Sequence, residues 1–153
     1  MKPVRAKPKP LWRCPKCGER FVARNMWHSC GRYSLRALFA RSDPRIFRLY
    51  RKLERMIRSC GPVHIIPQKT RLVFQVRVRF AGIYVRKSHF MLGLWFTRRM
   101  EIPRLDRIEK ITPRCYVHHV KIASDSDLGA ELMRWLRRAY LVGQQQHLER
   151  DDL

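Results

Sequence analysis

The chain has 153 residues, 34 Lys and Arg against 12 Asp and Glu, and a formal net charge of +22. That length fits one domain with a small appendage, and 45% apolar residues are enough for a real core. No run approaches the ~18 apolar residues of a membrane span, and the basic N-terminus lacks the apolar stretch of a signal peptide, so a soluble, cytoplasmic protein without membrane partners is expected.

The charge is unevenly spread. Residues 1–124 hold 30 basic and 6 acidic side chains, and residues 125–153 hold 4 and 6. A field of that sign gathers polyanions such as nucleic acid, although an Arg-biased solvated surface would have the same composition. Five cysteines, an odd number with one Cys-x-x-Cys pair, suit a reducing compartment and a metal site better than a disulfide framework.

In chain order, residues 1–10 alternate Lys or Arg with Pro and predict a disordered, extended basic arm. Residues 11–33 follow as a zinc-knuckle module. Cys14-Pro15-Lys16-Cys17-Gly18 has the spacing of a knuckle, whose glycine permits a tight turn under two thiolates. After ten intervening residues His28 and Cys30 complete four ligands for Zn2+, with Phe21 and Val22 as a miniature core. Four protein ligands close the site, which makes the metal structural rather than catalytic.

An α+β domain is expected over 34–143. Ser34 is placed to cap a short helix over 35–39. Asp43-Pro44 then opens a longer one, with Ile46, Leu49, Tyr50, Leu53, Met56 and Ile57 at helical spacing and Gly61 at its end. Its outer face carries Arg45, Arg48, Arg51, Lys52, Arg55 and Arg58 against Glu54 alone. That composition gives up ordinary i,i+4 pairing and favours an external anion.

Residues 61–99 read as three or four antiparallel strands. Between Arg55 and Arg99 there are ten Lys or Arg and no Asp or Glu. Leu72, Phe74, Val76, Val78 and Phe80 alternate with Val73, Gln75, Arg77, Arg79 and Ala81, which assigns the first set to the core and the second to an open face. Ala81-Gly82 has the look of a bend or bulge. Phe90, Leu92, Leu94 and Phe96 repeat the pattern, with Gly93 beside Trp95 on the open face. Residues 98–114, broken by Pro103 and Pro113, read as a charged connection, and 115–122 as a further strand. Ser124 to Asp127 has capping-box character before a last helix carrying Leu128, Leu132, Trp135, Leu136, Ala139 and Tyr140. Residues 144–153 read as a tail.

The segments LWRCPKCG, FVARNMWHSCG, CGPVHIIPQKTRLVFQVRVRFAG, LGLWFTRR, YVHHVKI and WLRRAYLVGQQ, spread over residues 11–146, together resemble a bacterial family that joins a Cys-rich knuckle to domain of unknown function 5655. The resemblance implies helices on one side of a curved antiparallel sheet, similar in plan to the small YdhG-like domains. It implies no activity.

The residues themselves point to a non-enzymatic nucleic-acid-binding protein of low sequence specificity. Lys69, Arg71, Gln75, Arg77, Arg79, Trp95 and His119 would form its interface beside the zinc module, with phosphates held by charge and bases by stacking. A small anionic or phosphorylated ligand on the same residues is the alternative, since Arg binds such groups bidentately. An acidic protein partner is a third. An enzyme is disfavoured, because a metal-dependent nuclease needs carboxylates that residues 55–99 lack. A Cys–His pair fails as well: Cys115 and His118 point to opposite faces of a strand, and Cys115 and His119 stand about 13 Å apart along it.

Overall fold

The computed structural model describes residues 8–28, 30, 31 and 33–146. A two-stranded hairpin, β1 (Trp12–Arg13) and β2 (Arg20–Phe21), precedes α1 (Leu35–Phe39) and α2 (Pro44–Cys60). Six strands follow: β3 (His64–Pro67), β4 (Leu72–Gln75), β5 (Arg79–Val85), β6 (Phe90–Phe96), β7 (Leu105–Thr112) and β8 (Cys115–Ile122). A single 3-10 turn (Asp125–Asp127) leads into α3 (Ala130–Gly143). The six strands form one antiparallel sheet in the order β3-β4-β5-β6-β8-β7, so the chain is α+β. Most of the expected arm and tail lies outside the described residues.

The core lies between one sheet face and the helices. Ile46, Leu49, Tyr50, Leu53 and Ile57 form the buried stripe of α2, and Leu132, Leu136, Ala139 and Tyr140 that of α3. They meet Leu72, Phe74, Phe80, Phe90, Leu92, Leu94 and Phe96 from the sheet. Ser34 caps α1 by accepting from the Ala37 N–H at 3.1 Å. The Ser124–Asp127 capping box closes the 3-10 turn, whereas α3 begins two residues beyond Leu128 with Gly129 as its N-cap.

Three expectations are corrected. The alternating run 72–81 is two strands rather than one, joined by a turn at Val76-Arg77-Val78. Carbonyl oxygen of Gly143, at the end of α3, accepts from the N–H groups of Arg77 (2.9 Å) and Val78 (3.1 Å), which holds the chain in that turn. Beyond it, Gln75 pairs with Arg79 but Phe74 pairs with Ala81, leaving Phe80 as the extra residue of a bulge. The bulge resets the alternation, so Ala81 is buried on the core face instead of facing outward.

The charged connection contains an eight-residue strand, β7, paired along β8 at the sheet edge. Pro103 and Pro113 flank it and do not interrupt the ladder. Finally, four of the six basic residues of α2 have internal partners, including an i,i+4 pair, although the face stays net positive. Glu54 accepts from Arg51 at 2.7 Å and from Arg58 at 3.1 Å. Lys52 pairs with Asp125, and Arg45 donates to the carbonyls of Ala123 and Ser88. Among the described residues, no helix is long and apolar enough to cross a membrane.

Candidate functional site

The ligating atoms of Cys14, Cys17, His28 and Cys30 all lie within 4.8 Å of one another and could hold a metal ion. The β1–β2 hairpin carries the first pair. Cys14 N–H donates to the Glu19 carbonyl and Gly18 N–H to the Cys14 carbonyl, both at 2.8 Å, and Gly18 takes a φ of +79° that favours glycine. The Sγ atoms of Cys14 and Cys30 are 3.8 Å apart, and Sγ of Cys17 is 3.3 Å from Nε2 of His28. A tetrahedron with metal–sulfur bonds of about 2.3 Å and metal–nitrogen bonds of about 2.0 Å has S···S edges of about 3.8 Å and S···N edges of about 3.5 Å.

Nδ1 of His28 stands 2.7 Å from the Met26 carbonyl, a bond that puts the proton on Nδ1 and leaves Nε2 to ligate. Backbone N–H of Cys17 is the main reason the Cys14 thiol is lowered to about 6, with Lys16 N–H and the other thiols helping against burial. Burial first, then its bonds to Cys14 and Cys17 and their charge, push Cys30 up to about 11. Three thiols at this spacing repel as thiolates, and a cation among them removes that repulsion. Phe21 packs on the His28 ring (4.3 Å between centroids) and near Trp12 (6.2 Å). Trp12 takes the place expected for Val22, which is exposed.

The sheet face away from the helices has a floor without side chains. Gly82 pairs with Gly93, which pairs with His119 on β8. Trp95, the next outward residue on β6, lies over this floor: a Cβ built on Gly93 would be 3.4 Å from its ring, and one on Gly82 3.7 Å. Trp95 is half-buried there.

Around it stand the charges. Arg71 donates to Oε1 of Gln68 (2.8 Å) and to the Tyr84 hydroxyl (3.3 Å). Burial, with the charge of Arg71 adding to it and Tyr84 opposing, lowers the pKa of Arg79. Among the described residues, neither Arg71 nor Arg79 forms a salt bridge. The face is not purely cationic, however. Glu109 of β7 places Oε2 3.1 Å from Nε2 of the buried His119. That carboxylate arrives from the strand that the sequence reading took for a connection. His118 points the other way, buried against Phe96 and accepting from the Met100 N–H at 2.8 Å.

A groove of about 520 Å³ separates the hairpin module from the sheet. The module contributes Phe21, Met26 and Trp27; the sheet contributes Arg79, Trp95 and Ile111, with Arg114 at the turn beyond β7. Two tethers set the spacing. Gln75 donates to the Arg20 carbonyl at 2.5 Å, and Arg77 donates to Oε1 of Gln145 (3.0 Å) and to the Lys9 carbonyl (2.8 Å).

The expected interface residues therefore separate. Arg71, Arg79, Trp95 and His119 share the open face; Gln75 and Arg77 act as tethers; Lys69 is exposed in the β3–β4 connection and lines neither the groove nor the Glu109–His119 hollow. Trp27, Ile111, Arg114, Tyr84 and Glu109 were missed. Only Trp27 left a signal, as a tryptophan directly before His28 of the candidate metal cluster.

The family model for the Domain of unknown function (DUF5655) matches residues 36–143, which include α2, α3, all but the first residue of α1 and all six strands of the sheet, and leave the cysteine cluster outside. No curated protein and no solved structure matches the chain. With well over half of its length inside that model, the chain belongs to the DUF5655 family.

Proposed function

We propose that the chain is a non-enzymatic, cytoplasmic nucleic-acid-binding protein of low sequence specificity, stabilised by a structural zinc ion at Cys14, Cys17, His28 and Cys30. One observation carries the reading: among the described residues the half-buried Arg79 and its neighbour Arg71 form no salt bridge, and Arg79 lines the groove with the outward ring of Trp95. Holding like charges together in a desolvated place costs stability, and a phosphate recovers it through charge-assisted, bidentate hydrogen bonds. The adjacent indole offers a base a stacking surface that suits any sequence.

Three thiolates and an imidazole favour zinc among divalent ions of tetrahedral habit, and a reducing compartment keeps those thiols available. With four protein ligands the metal has no position for a reactive water, which supports a structural role. The basic face of α2 is the weaker candidate, since most of its charges already have internal partners.

Fluorescence anisotropy with labelled single- and double-stranded DNA and RNA, over a salt series, tests the proposal. Micromolar or tighter binding near physiological salt is expected, with a slope in log K against log salt that corresponds to several displaced counterions. Loss of binding to every polymer by ~150 mM salt would leave only a non-specific field and turn attention to small anions at Arg71 and Arg79.

A further inference from the structure

We infer that the groove between the hairpin module and the sheet receives an unpaired nucleobase of a single-stranded nucleic acid, against the aromatic surfaces of Trp27 and Trp95, with Arg79 and Arg114 on the adjoining phosphates. The inference rests on the nucleic-acid reading above and narrows it to a class of ligand.

Trp27 is 86% exposed although it lines a largely apolar groove. An indole left in water beside an apolar wall gains from a flat, apolar partner, and the net charge of +22 selects a partner that brings phosphates. Facing it, Trp95 lies over the glycine floor of β5 and β6, and Ile111, 53% exposed, extends the apolar wall. The volume of about 520 Å³ is in the range of small-ligand sites, about 300–1,000 Å³, and so suits a nucleotide-sized group rather than the width of a duplex.

A duplex also fails chemically. It presents phosphates and base edges, while its base faces are hidden in the stack; aromatic walls gain only from a base that is out of it. Each base has a π-face, so the site discriminates single strands from duplexes without reading sequence.

The cysteine–histidine cluster lies behind one wall, in the same hairpin module as Phe21, Met26 and Trp27. His28 holds the carbonyl of Met26, the residue before Trp27, so the position of Trp27 depends on the same imidazole that completes the cluster.

The test is a fluorescence titration of the full chain with an oligothymidylate of about ten nucleotides, within the span of known single-strand sites. An abasic strand of equal length and charge and a duplex serve as comparisons. The thymidylate is expected to bind at least tenfold more tightly than the abasic strand. Trp27→Ala should remove that advantage, Trp27→Phe should keep most of it, and neither should change abasic binding. Because Trp27 is so exposed, its replacement leaves the fold intact, which circular dichroism checks. Equal affinity for thymidylate and abasic strands would overturn the groove inference while leaving nucleic-acid binding standing. A failure of all three polymers to bind would overturn both.

Discussion

Gly82 and Gly93 face each other across β5 and β6, and together they make the shallow floor on which the indole of Trp95 rests. A Cβ at Gly82 would press on the Leu72 carbonyl (3.2 Å) and only touch the ring, whereas one at Gly93 is the tighter fit. At Gly93 a Cβ would come within 3.1 Å of Cγ1 of Val117 as well as 3.4 Å of Trp95. Gly93→Val is therefore expected to cost about 1–3 kcal/mol through overpacking and to change the emission of Trp95. Thermal unfolding and fluorescence, with Trp95→Phe as control, measure both; an unchanged melting temperature would contradict the packing described.

Arg79 should trade stability for binding. Its pKa is lowered by burial and by Arg71, so the cation is held where the fold alone disfavours it. Arg79→Met is expected to leave the melting temperature unchanged or raise it, while weakening polynucleotide binding and reducing the salt slope by about 1. A clear fall in melting temperature would make Arg79 a structural residue instead.

Metal removal should act on the hairpin module first. Chelation, or Cys17→Ser, is expected to release one zinc equivalent and loosen residues 12–30, because that segment is too small to hold its own core. The sheet domain, with its separate core, should keep its circular dichroism. Elemental analysis and a melting curve followed through tryptophan emission check this. Loss of the entire fold on chelation would show the metal to be integral to both parts.

Acid should destabilise the protein through His118. Its Nε2 accepts from the Met100 N–H, which requires the unprotonated ring, and burial lowers its pKa with help from Arg99 and His119 against the Tyr116 carbonyl. The unfolded imidazole takes up a proton near its ordinary value of 6.5, and the folded one only at lower pH. Stability is thus present above that value and declines as the pH falls below it. Denaturant midpoints between pH 7.5 and pH 5, a window of about 1–1.5 units on either side of the ordinary His value, should fall. His118→Gln, which can accept the same N–H without titrating, should flatten part of that slope. Half-buried His89, lowered by desolvation and by the charges of Lys121 and Arg86, should account for some of the remainder.

The elements with clean periodicity were legible in the sequence. Asp43-Pro44 and the apolar stripe identify α2 closely, and Phe90 to Phe96 identifies β6. The grouping of Cys14, Cys17, His28 and Cys30, which could hold a metal ion, was legible because their spacing has few other uses. What remained hidden depends on tertiary context. β7 is an edge strand with Asp106, Arg107, Glu109 and Lys110 exposed, the kind of charge that keeps an edge from pairing with another chain, and it carries no alternation.

Val76-Arg77-Val78 has no turn residues. The Gly143 carbonyl, far along the chain, makes it a turn. The basic stripe of α2 looked unpaired because Asp125, Ser88 and Ala123 approach it only after folding. The groove, for its part, exists only once Gln75 and Arg77 have tied the hairpin module to the sheet.

The most direct test of the account is to locate the bound strand. Ultraviolet crosslinking of the zinc-loaded protein to a single-stranded oligonucleotide, followed by mass spectrometry of the peptides, reads the contact residues. Crosslinks at Trp27 and Trp95, lost in Trp27→Ala and Trp95→Phe respectively, are the predicted result. Crosslinks confined to the outer face of α2, around Arg48 and Arg55, would contradict it and move the interface to the opposite side of the domain.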